Sequence, residues 1–197
     1  MFYRSAMLIT LLFAVAIGGP VQAANPQVEL DTSAGKIRIE LFPDAAPKTV
    51  EHFLAYVKSK QFDGTQFHRV IPGFMIQAGG YTADFAEKRT TLPPIAHEGE
   101  SSRKAGLSNV PGTVAMARTS DPQSANAQFF INVADNSRLN FREPSPQGYG
   151  YTVFGKVVDG MDVVSKIAGT PTGPGGPFPT DVPKQIVLIK SATVVTP

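Results

Sequence analysis

Residues 67–80 contain most of the side chains in this sequence that could act on a ligand with a polar and an apolar part. Their letters, FHRVIPGFMIQAGG, predict two short strands separated by a turn at Pro72 and Gly73. If the strands lie side by side, a cation, an amide, an aromatic ring and a thioether share one surface. These four side chains are Arg69, Gln77, Phe74 and Met75. They suit the binding of an apolar group beside a carbonyl, and the stretch holds no nucleophile, metal-ligand cluster or phosphate-binding loop.

The elements around this stretch alternate between strands and helices. Apolar and polar residues alternate over 36–41, which together with 28–32 predicts a hairpin. Pro47 marks the start of a helix with one apolar stripe, and His52 lies off that stripe, so it is expected at the surface. The remaining predicted elements are strands at 112–118, 128–133, 153–158 and 186–195, and a helix at Met161–Ala168.

Two long segments lack such patterns. Residues 81–111 are predicted to form an extended surface loop, and residues 170–183, rich in proline and glycine, an irregular connector. Many antiparallel strands with only two separated helices favour a closed barrel, because closure removes the unpaired strand edges that promote aggregation.

The first 23 residues have the features of a cleaved export signal. Arg4 supplies positive charge, residues 7–17 form an apolar run apart from Thr10, and the segment 21–23 supplies small residues at the positions that a signal peptidase reads. The run of about eleven residues is shorter than the roughly 20 that span a membrane. We therefore predict a signal peptide, residues 1–23, cleaved after Ala23 or Ala24, and one domain, residues 24–197. The expected location is the periplasm, or outside the cell for a Gram-positive source.

Composition narrows the classes of partner. The chain is 42% hydrophobic and 17% charged, and without Arg4 it carries 17 basic and 16 acidic residues. This balance gives no electrostatic field suited to nucleic acid. Cysteine is absent, and a chain of this length needs no disulfides. A monomer without metal or cofactor, and without membrane contact after signal cleavage, is expected.

Four segments of the sequence resemble consecutive segments of the cyclophilin family of peptidyl-prolyl cis-trans isomerases. They are residues 67–80, GTVAMAR at 112–118, QFFIN at 128–132 and YTVFGKV at 151–157. They follow the order and spacing of the family, the similarity runs from about residue 28 to 195, and the pattern is most similar to exported bacterial cyclophilins. The resemblance implies a mainly β fold, a closed antiparallel eight-stranded β-barrel capped by two α-helices, with a shallow active-site groove on its outside.

The resemblance also implies an activity, rotation about X–Pro bonds in unfolded or extended polypeptides, here exported proteins that are folding. Rotation makes and breaks no bond, so a donor aimed at the proline nitrogen and an apolar proline pocket suffice. The implied catalytic residues are Arg69, Phe74 and Gln77. The implied substrate-binding residues are His68, Met75, Ala117, Arg118, Gln128, Phe130, Leu139 and Tyr151. His68 is interpreted as a structural hydrogen-bonding residue, because amide rotation transfers no proton.

Two positions depart from the best-known eukaryotic cyclophilins. Arg138 stands where those proteins carry a tryptophan on the groove rim, and Tyr151 where they carry a pocket histidine. Tyrosine keeps an aromatic wall, so isomerase activity should survive. Loss of the indole ring predicts weak binding of cyclosporin A.

Two other classes of function remain to be weighed. A barrel that only holds proline-containing segments, as a chaperone or assembly factor, would use the same groove, although a pure binder has no need of Arg69, Phe74 and Gln77 together. A hydrolase has little support, because the sequence has no G-x-S-x-G motif and no cysteine, and its histidines form no triad or metal pattern.

Overall fold

Alternation of apolar and polar residues builds a large antiparallel sheet in the computed structural model, which describes residues 24–195. The predicted signal peptide, residues 1–23, lies outside this range. In spatial order the strands of the large sheet are β10 (Ile189–Val195), β1 (Gln27–Thr32), β2 (Gly35–Leu41), β7 (Val153–Asp159), β5 (Thr113–Met116), β6 (Phe129–Asn132), β4 (Met75–Ala78) and β3 (Arg69–Ile71). A separate hairpin consists of β8 (Thr172–Gly175) and β9 (Phe178–Pro183).

The helices in the described range are α1 (Pro47–Lys58), α2 (Gly99–Lys104) and α3 (Met161–Ala168), with a 3-10 helix at Ser137–Leu139. The apolar stripe of α1 covers the inner face of the sheet. Phe53 lies at its centre, with its ring centroid 4.9 Å from that of Phe62, 5.4 Å from Phe129 and 5.0 Å from Phe154. This aromatic cluster fixes α1 against strands β6 and β7.

The strands that carry the site have two buried faces. Ile76, Val114 and Phe129 point into the main core under α1. Their immediate neighbours Met75, Ala115 and Phe130 point the other way, and with Val153 they form a second, smaller cluster. The period of two in a strand therefore supplies a core on one side and an apolar floor on the other.

The prediction of a closed barrel is wrong. The large sheet is open and curled, with β3 and β10 at its two edges and no ladder between them. The segment before β3 meets the start of β10 at one bridge, between Gln66 and Leu188. Backbone bonds flank it, from Phe67 N to Val187 O at 2.9 Å and between Ile189 and residues 64 and 65 at 2.8 Å. Hairpin β8–β9 packs beside β3. The edge is thus covered instead of paired, which also protects it from aggregation.

Three other local expectations are corrected. The range described holds three α-helices instead of two, because α2 lies within the predicted loop 81–111, and the predicted connector 170–183 contains the β8–β9 hairpin. His52 is 7% exposed, not at the surface, and its Nε2 lies 3.4 Å from Asn126 Oδ1.

None of the helices within residues 24–195 is long and apolar enough to cross a membrane.

Candidate active site

The turn between β3 and β4 sets the position of Phe74. Its N–H donates to Ile71 O at 3.0 Å across Pro72 and Gly73, and Gly73 has a φ of +70°, as the third residue of a type II turn requires. Phe74 O in turn accepts hydrogen bonds from Asn136 Nδ2 at 2.8 Å and Val133 N at 3.1 Å. The turn is therefore fixed to the chain that follows β6, and Phe74 has a defined place above the sheet.

Cross-strand register brings the other central residues together on the outer face. Arg69 of β3 pairs with Gln77 of β4, Gln77 with Phe130 of β6, and Phe130 with Ala115 of β5. Directly paired residues on one face have Cβ atoms about 4.5–5.5 Å apart. A single row across the sheet thus runs from a guanidinium through an amide to an aromatic ring.

A pocket of about 160 Å³ opens over this row. Nine residues line it, and the sequence predicted each of them as a site residue: Arg69, Phe74, Met75, Gln77, Ala117, Arg118, Phe130, Leu139 and Tyr151. The volume is below the roughly 300–1,000 Å³ of pockets for drug-sized ligands, so it suits one small side chain. Met75 and Phe130 are 2% and 4% exposed and form the floor, whereas the Arg69 side chain is 45% exposed at the rim.

Gln128, a further residue predicted for the site, holds the amide of Gln77 in place. Gln77 Nε2 donates to Gln128 Oε1 at 2.8 Å, and Ala117 N donates to Gln128 O at 2.9 Å. Gln128 also borders a second, more polar cavity of about 300 Å³, which shares Gln77, Ala117 and Arg118 with the first.

The sequence did not predict the other residues of this second cavity. They include Gly80, Glu87, Lys88, Thr90, Ser124 and Asn126. Apart from Gly80, which ends the stretch 67–80, these residues lie in segments that have no periodic pattern, and only their closeness in sequence to predicted site residues could have suggested them. The two cavities thus adjoin at Gln77, Ala117 and Arg118.

Aromatic rings hold two further arginines at the site. The guanidinium carbon of Arg118 lies 4.8 Å from the ring centroid of Tyr151, and Arg118 Nε donates to Gly150 O at 2.8 Å. The guanidinium carbon of Arg138 lies 5.0 Å from the ring centroid of Phe74. Such cation–π contacts leave the charge partly hydrated and keep the side chain in place. Arg138 lines neither of these two cavities, but it contacts Phe74, which lines the smaller one.

His68 is the predicted site residue that lines neither of the two cavities. It is 2% exposed, and its ring centroid lies 4.8 Å from that of Tyr81 and 5.6 Å from that of Phe178. Burial lowers the pKa of His68 to about 4, so the ring is neutral at physiological pH. Its Nδ1 has no hydrogen-bond partner within residues 24–195. The geometry gives it no access to a ligand in the pocket and makes it part of the support behind Arg69.

The arrangement as a whole can bind an apolar ring beside a backbone amide, with a guanidinium at the rim. In the part of the chain that the structure describes, no three His, Cys, Asp or Glu side chains cluster as metal ligands. Residues 27–194 match the pattern of the family described as cyclophilin type peptidyl-prolyl cis-trans isomerase/CLD. The chain belongs to this family.

Relatives with the same activity cover the described domain. A peptidyl-prolyl cis-trans isomerase of Streptomyces antibioticus is 55% identical over 168 residues, which are 85% of this chain and 98% of the relative. Peptidyl-prolyl cis-trans isomerase A of Dickeya dadantii is 44% identical over 191 residues, 96% of each chain. These identities over nearly complete relatives show an enzyme, a peptidyl-prolyl cis-trans isomerase.

A solved structure supports the fold in the same way. The cyclophilin type peptidyl-prolyl cis-trans isomerase of Cryptosporidium parvum, crystallised in the presence of the dipeptide Ala-Pro, has a TM-score of 0.67 and 25% identity. The match covers 87% of this chain and 99% of that one. The cyclophilin fold is therefore established for the described residues.

Proposed function

We propose that this isomerase accelerates rotation of X–Pro bonds by donation from Arg69 to the proline nitrogen, and that its substrates are exported proteins that are folding. The observation that carries the mechanism is the place of Arg69 in the row Arg69–Gln77–Phe130, at the rim of a pocket sized for one small ring. The proline-containing dipeptide used with the Cryptosporidium parvum relative supports the same class of ligand here.

The physical reason lies in the amide bond. Rotation of a peptide bond has a barrier of about 18–20 kcal/mol because resonance is lost in the twisted state. The lone pair then localises on the proline nitrogen, which becomes a hydrogen-bond acceptor. A donor that meets this nitrogen stabilises the twisted state more than either planar state, and such selective stabilisation raises the rate.

Arg69 is suited to this task. A guanidinium stays charged at all relevant pH values and presents donors in a rigid plane. Met75 and Phe130 provide a dry floor for the ring, while Gln77 is held by Gln128 at 2.8 Å and stands beside Arg69 in the register. We propose that Gln77 binds the substrate backbone and limits the positions that Arg69 can take. Ala117 and Arg118 complete the opposite wall.

Substitution Arg69→Ala tests this mechanism. Removal of one preorganised donor costs about 2.7 kcal/mol or more in other enzymes, so we expect kcat/KM for an Ala-Pro-containing peptide to fall roughly 100-fold. Thermal unfolding should be unchanged, since the side chain is 45% exposed. Arg103→Ala, an exposed arginine of α2, is the matched control and should keep full activity.

The outcomes separate the two functions that the groove could serve. A loss of less than threefold in Arg69→Ala would overturn the electrostatic mechanism. If the folded wild-type protein binds the peptide but does not catalyse its isomerisation, the groove would serve only to bind proline-containing segments, as in a chaperone or assembly factor.

Export is the second part of the proposal. It is supported by the charge, the apolar run and the small residues within 1–23. Expression of the full chain in a Gram-negative host should yield a periplasmic protein whose first residue is Ala24 or Asn25. Replacement of Leu11 and Leu12 by arginine should leave the precursor in the cytoplasm. A periplasmic product from that variant, or an uncleaved cytoplasmic wild type, would refute export by this segment.

A further inference from the structure

The β8–β9 hairpin has no part in the pocket, yet it packs against the residues behind it. Its Phe178 lies with its ring centroid 5.6 Å from that of His68 and 5.0 Å from that of Tyr81. His68 directly precedes Arg69 in the chain. The hairpin therefore buries the residue next to the proposed donor and stands beside strand β3, which carries that donor.

One carboxylate of the hairpin reaches Arg69 itself. Asp181 Oδ2 lies 3.6 Å from Arg69 Nε, and within residues 24–195 no other carboxylate forms an ion pair with Arg69. The two side chains are 33% and 45% exposed, so the pair is partly shielded from water. The contact is made at Nε, which leaves both terminal nitrogens of the guanidinium for a ligand.

The backbone of Asp181 shows that this placement is built by the hairpin. Its φ is +68°, in the left-handed region that asparagine and aspartate tolerate better than most residues. The flanking pairs Gly173–Val182 and Thr172–Pro183 hold the strand in register on one side of it. The backbone that carries the Asp181 carboxylate is thus held in place, whereas Arg69 is a long side chain with several rotatable bonds.

We propose that Asp181 is a positioning residue for Arg69, which holds the guanidinium plane over the pocket with its terminal nitrogens free. The inference rests on the proposed role of Arg69. It gives the hairpin a function in catalysis through a contact that does not touch the substrate. Because exposed ion pairs are weak, the expected contribution is modest, a factor of about two to five in kcat/KM.

The experiment compares Asp181→Asn with wild type. Asparagine has the same shape and accepts a positive φ, so the hairpin should fold unchanged. The matched control is Asp31→Asn, which removes another exposed carboxylate in an ion pair, 3.7 Å from Lys190 and away from the pocket. We expect kcat/KM for an Ala-Pro-containing peptide to fall two- to fivefold in Asp181→Asn and to stay the same in Asp31→Asn, with equal melting temperatures in all three proteins.

Two further readouts distinguish positioning from a structural role. At about 1 M salt, where the Debye length is about 3 Å, wild-type activity should approach that of Asp181→Asn. In an Arg69→Ala background, Asp181→Asn should have no further effect, because the residue it positions is gone. Asp181→Gly, which also accepts the backbone angle, should reproduce the loss if Asp181→Asn changes the melting temperature.

The possible failures can be told apart. If Arg69→Ala keeps its activity, the proposed mechanism is wrong and the inference fails with it. If Arg69→Ala loses activity but Asp181→Asn equals wild type, or is faster, only the positioning role is overturned. An equal loss from Asp181→Asn with and without Arg69 would also overturn it, since the effect would then not pass through the guanidinium.

Discussion

Phe129 and Phe130 are neighbours on strand β6, yet they belong to regions with different tasks. Phe129 is 0% exposed and faces the main core, where its ring centroid lies 5.4 Å from both Phe53 and Phe62. Phe130 is 4% exposed and faces outward, with Tyr151 at 5.5 Å and the pocket above it. The two rings have almost the same burial. Burial alone therefore does not separate a core residue from a site residue.

The difference lies in what surrounds each ring. The inner face is closed by α1, so packing there is complete on all sides. The outer face is closed on one side only, and its small cluster leaves room for a ligand group. One strand can thus support stability on one face and binding on the other, provided that the outer face is itself kept rigid by the turn and the hairpin around it.

The largest effect expected from this comparison is on stability. Phe129→Ala should lower the free energy of unfolding by about 3–5 kcal/mol, because it leaves a closed cavity in the core. Phe130→Ala should lower it by only about 1.5–3 kcal/mol, the transfer cost of the ring, since water can enter the vacated space. Urea denaturation of both variants measures these values.

Activity should show the reverse order. Phe130→Ala removes part of the pocket floor and should reduce kcat/KM at least tenfold, whereas Phe129→Ala should stay within about twofold of wild type per folded molecule. The comparison fails if the two variants lose activity equally under conditions where both are folded.

A fall in pH should reduce the stability that buried His68 contributes behind the pocket more than the stability contributed by the apolar core. The pKa of His68 is lowered from 6.5 to about 4 by burial, so below pH 6.5 the unfolded chain binds a proton that the folded chain does not. Stability from this residue is full above pH 6.5 and is lost as the pH falls toward 4. The total loss should be about 3 kcal/mol for a shift of this size.

His68→Gln tests this dependence, because glutamine does not titrate. Denaturation between pH 7 and pH 4 should show a loss of stability about 3 kcal/mol smaller than in wild type. His97→Gln serves as a comparison, since burial also lowers the pKa of His97 but its ring is less buried, and its effect should be smaller. An unchanged slope in His68→Gln would show that His68 already titrates normally in the folded chain. Activity of wild type should not follow this titration.

Much of the site could be predicted because it depends on local patterns. Alternation in 67–80 was enough to predict β3 and β4, Pro72 with Gly73 predicted the turn, and the segment 128–133 was predicted as the strand that became β6. Alternation does not say which of Phe129 and Phe130 faces the core. That choice came from the resemblance to a family, and the structure places Phe130 beside Gln77 at the pocket.

The missed features depend on contacts between distant segments. Helix α2 has the sequence GESSRK, without an apolar residue, so no periodic signal exists; it is fixed by Ser102 Oγ, which donates to Val153 O at 2.7 Å. Strands β8 and β9 are rich in glycine and proline, which have low strand propensity. The pairing of Asp181 with Arg69 depends on that hairpin, and so does the covering of the sheet edge at β3.

The smallest expected effect concerns ligand affinity at the rim of the outer face. Arg138 stacks on Phe74 with its guanidinium carbon 5.0 Å from the ring centroid, where the best-known eukaryotic cyclophilins carry an indole. Wild type should bind cyclosporin A weakly, and Arg138→Trp should bind it about tenfold more tightly, a gain of about 1.4 kcal/mol that one aromatic contact can supply. Isothermal titration calorimetry of both proteins measures this difference.

Arg142→Trp provides the control, because Arg142 is exposed, does not line the pocket and has its guanidinium bound to Gln147 O at 2.9 Å. It should leave the affinity for cyclosporin A unchanged, and neither substitution should alter the melting temperature. Nanomolar binding by wild type would show that the rim does not need the indole. Equal gains in both tryptophan variants would indicate non-specific contact of the apolar ligand, and the rim would then have no separate role from the rest of the outer surface.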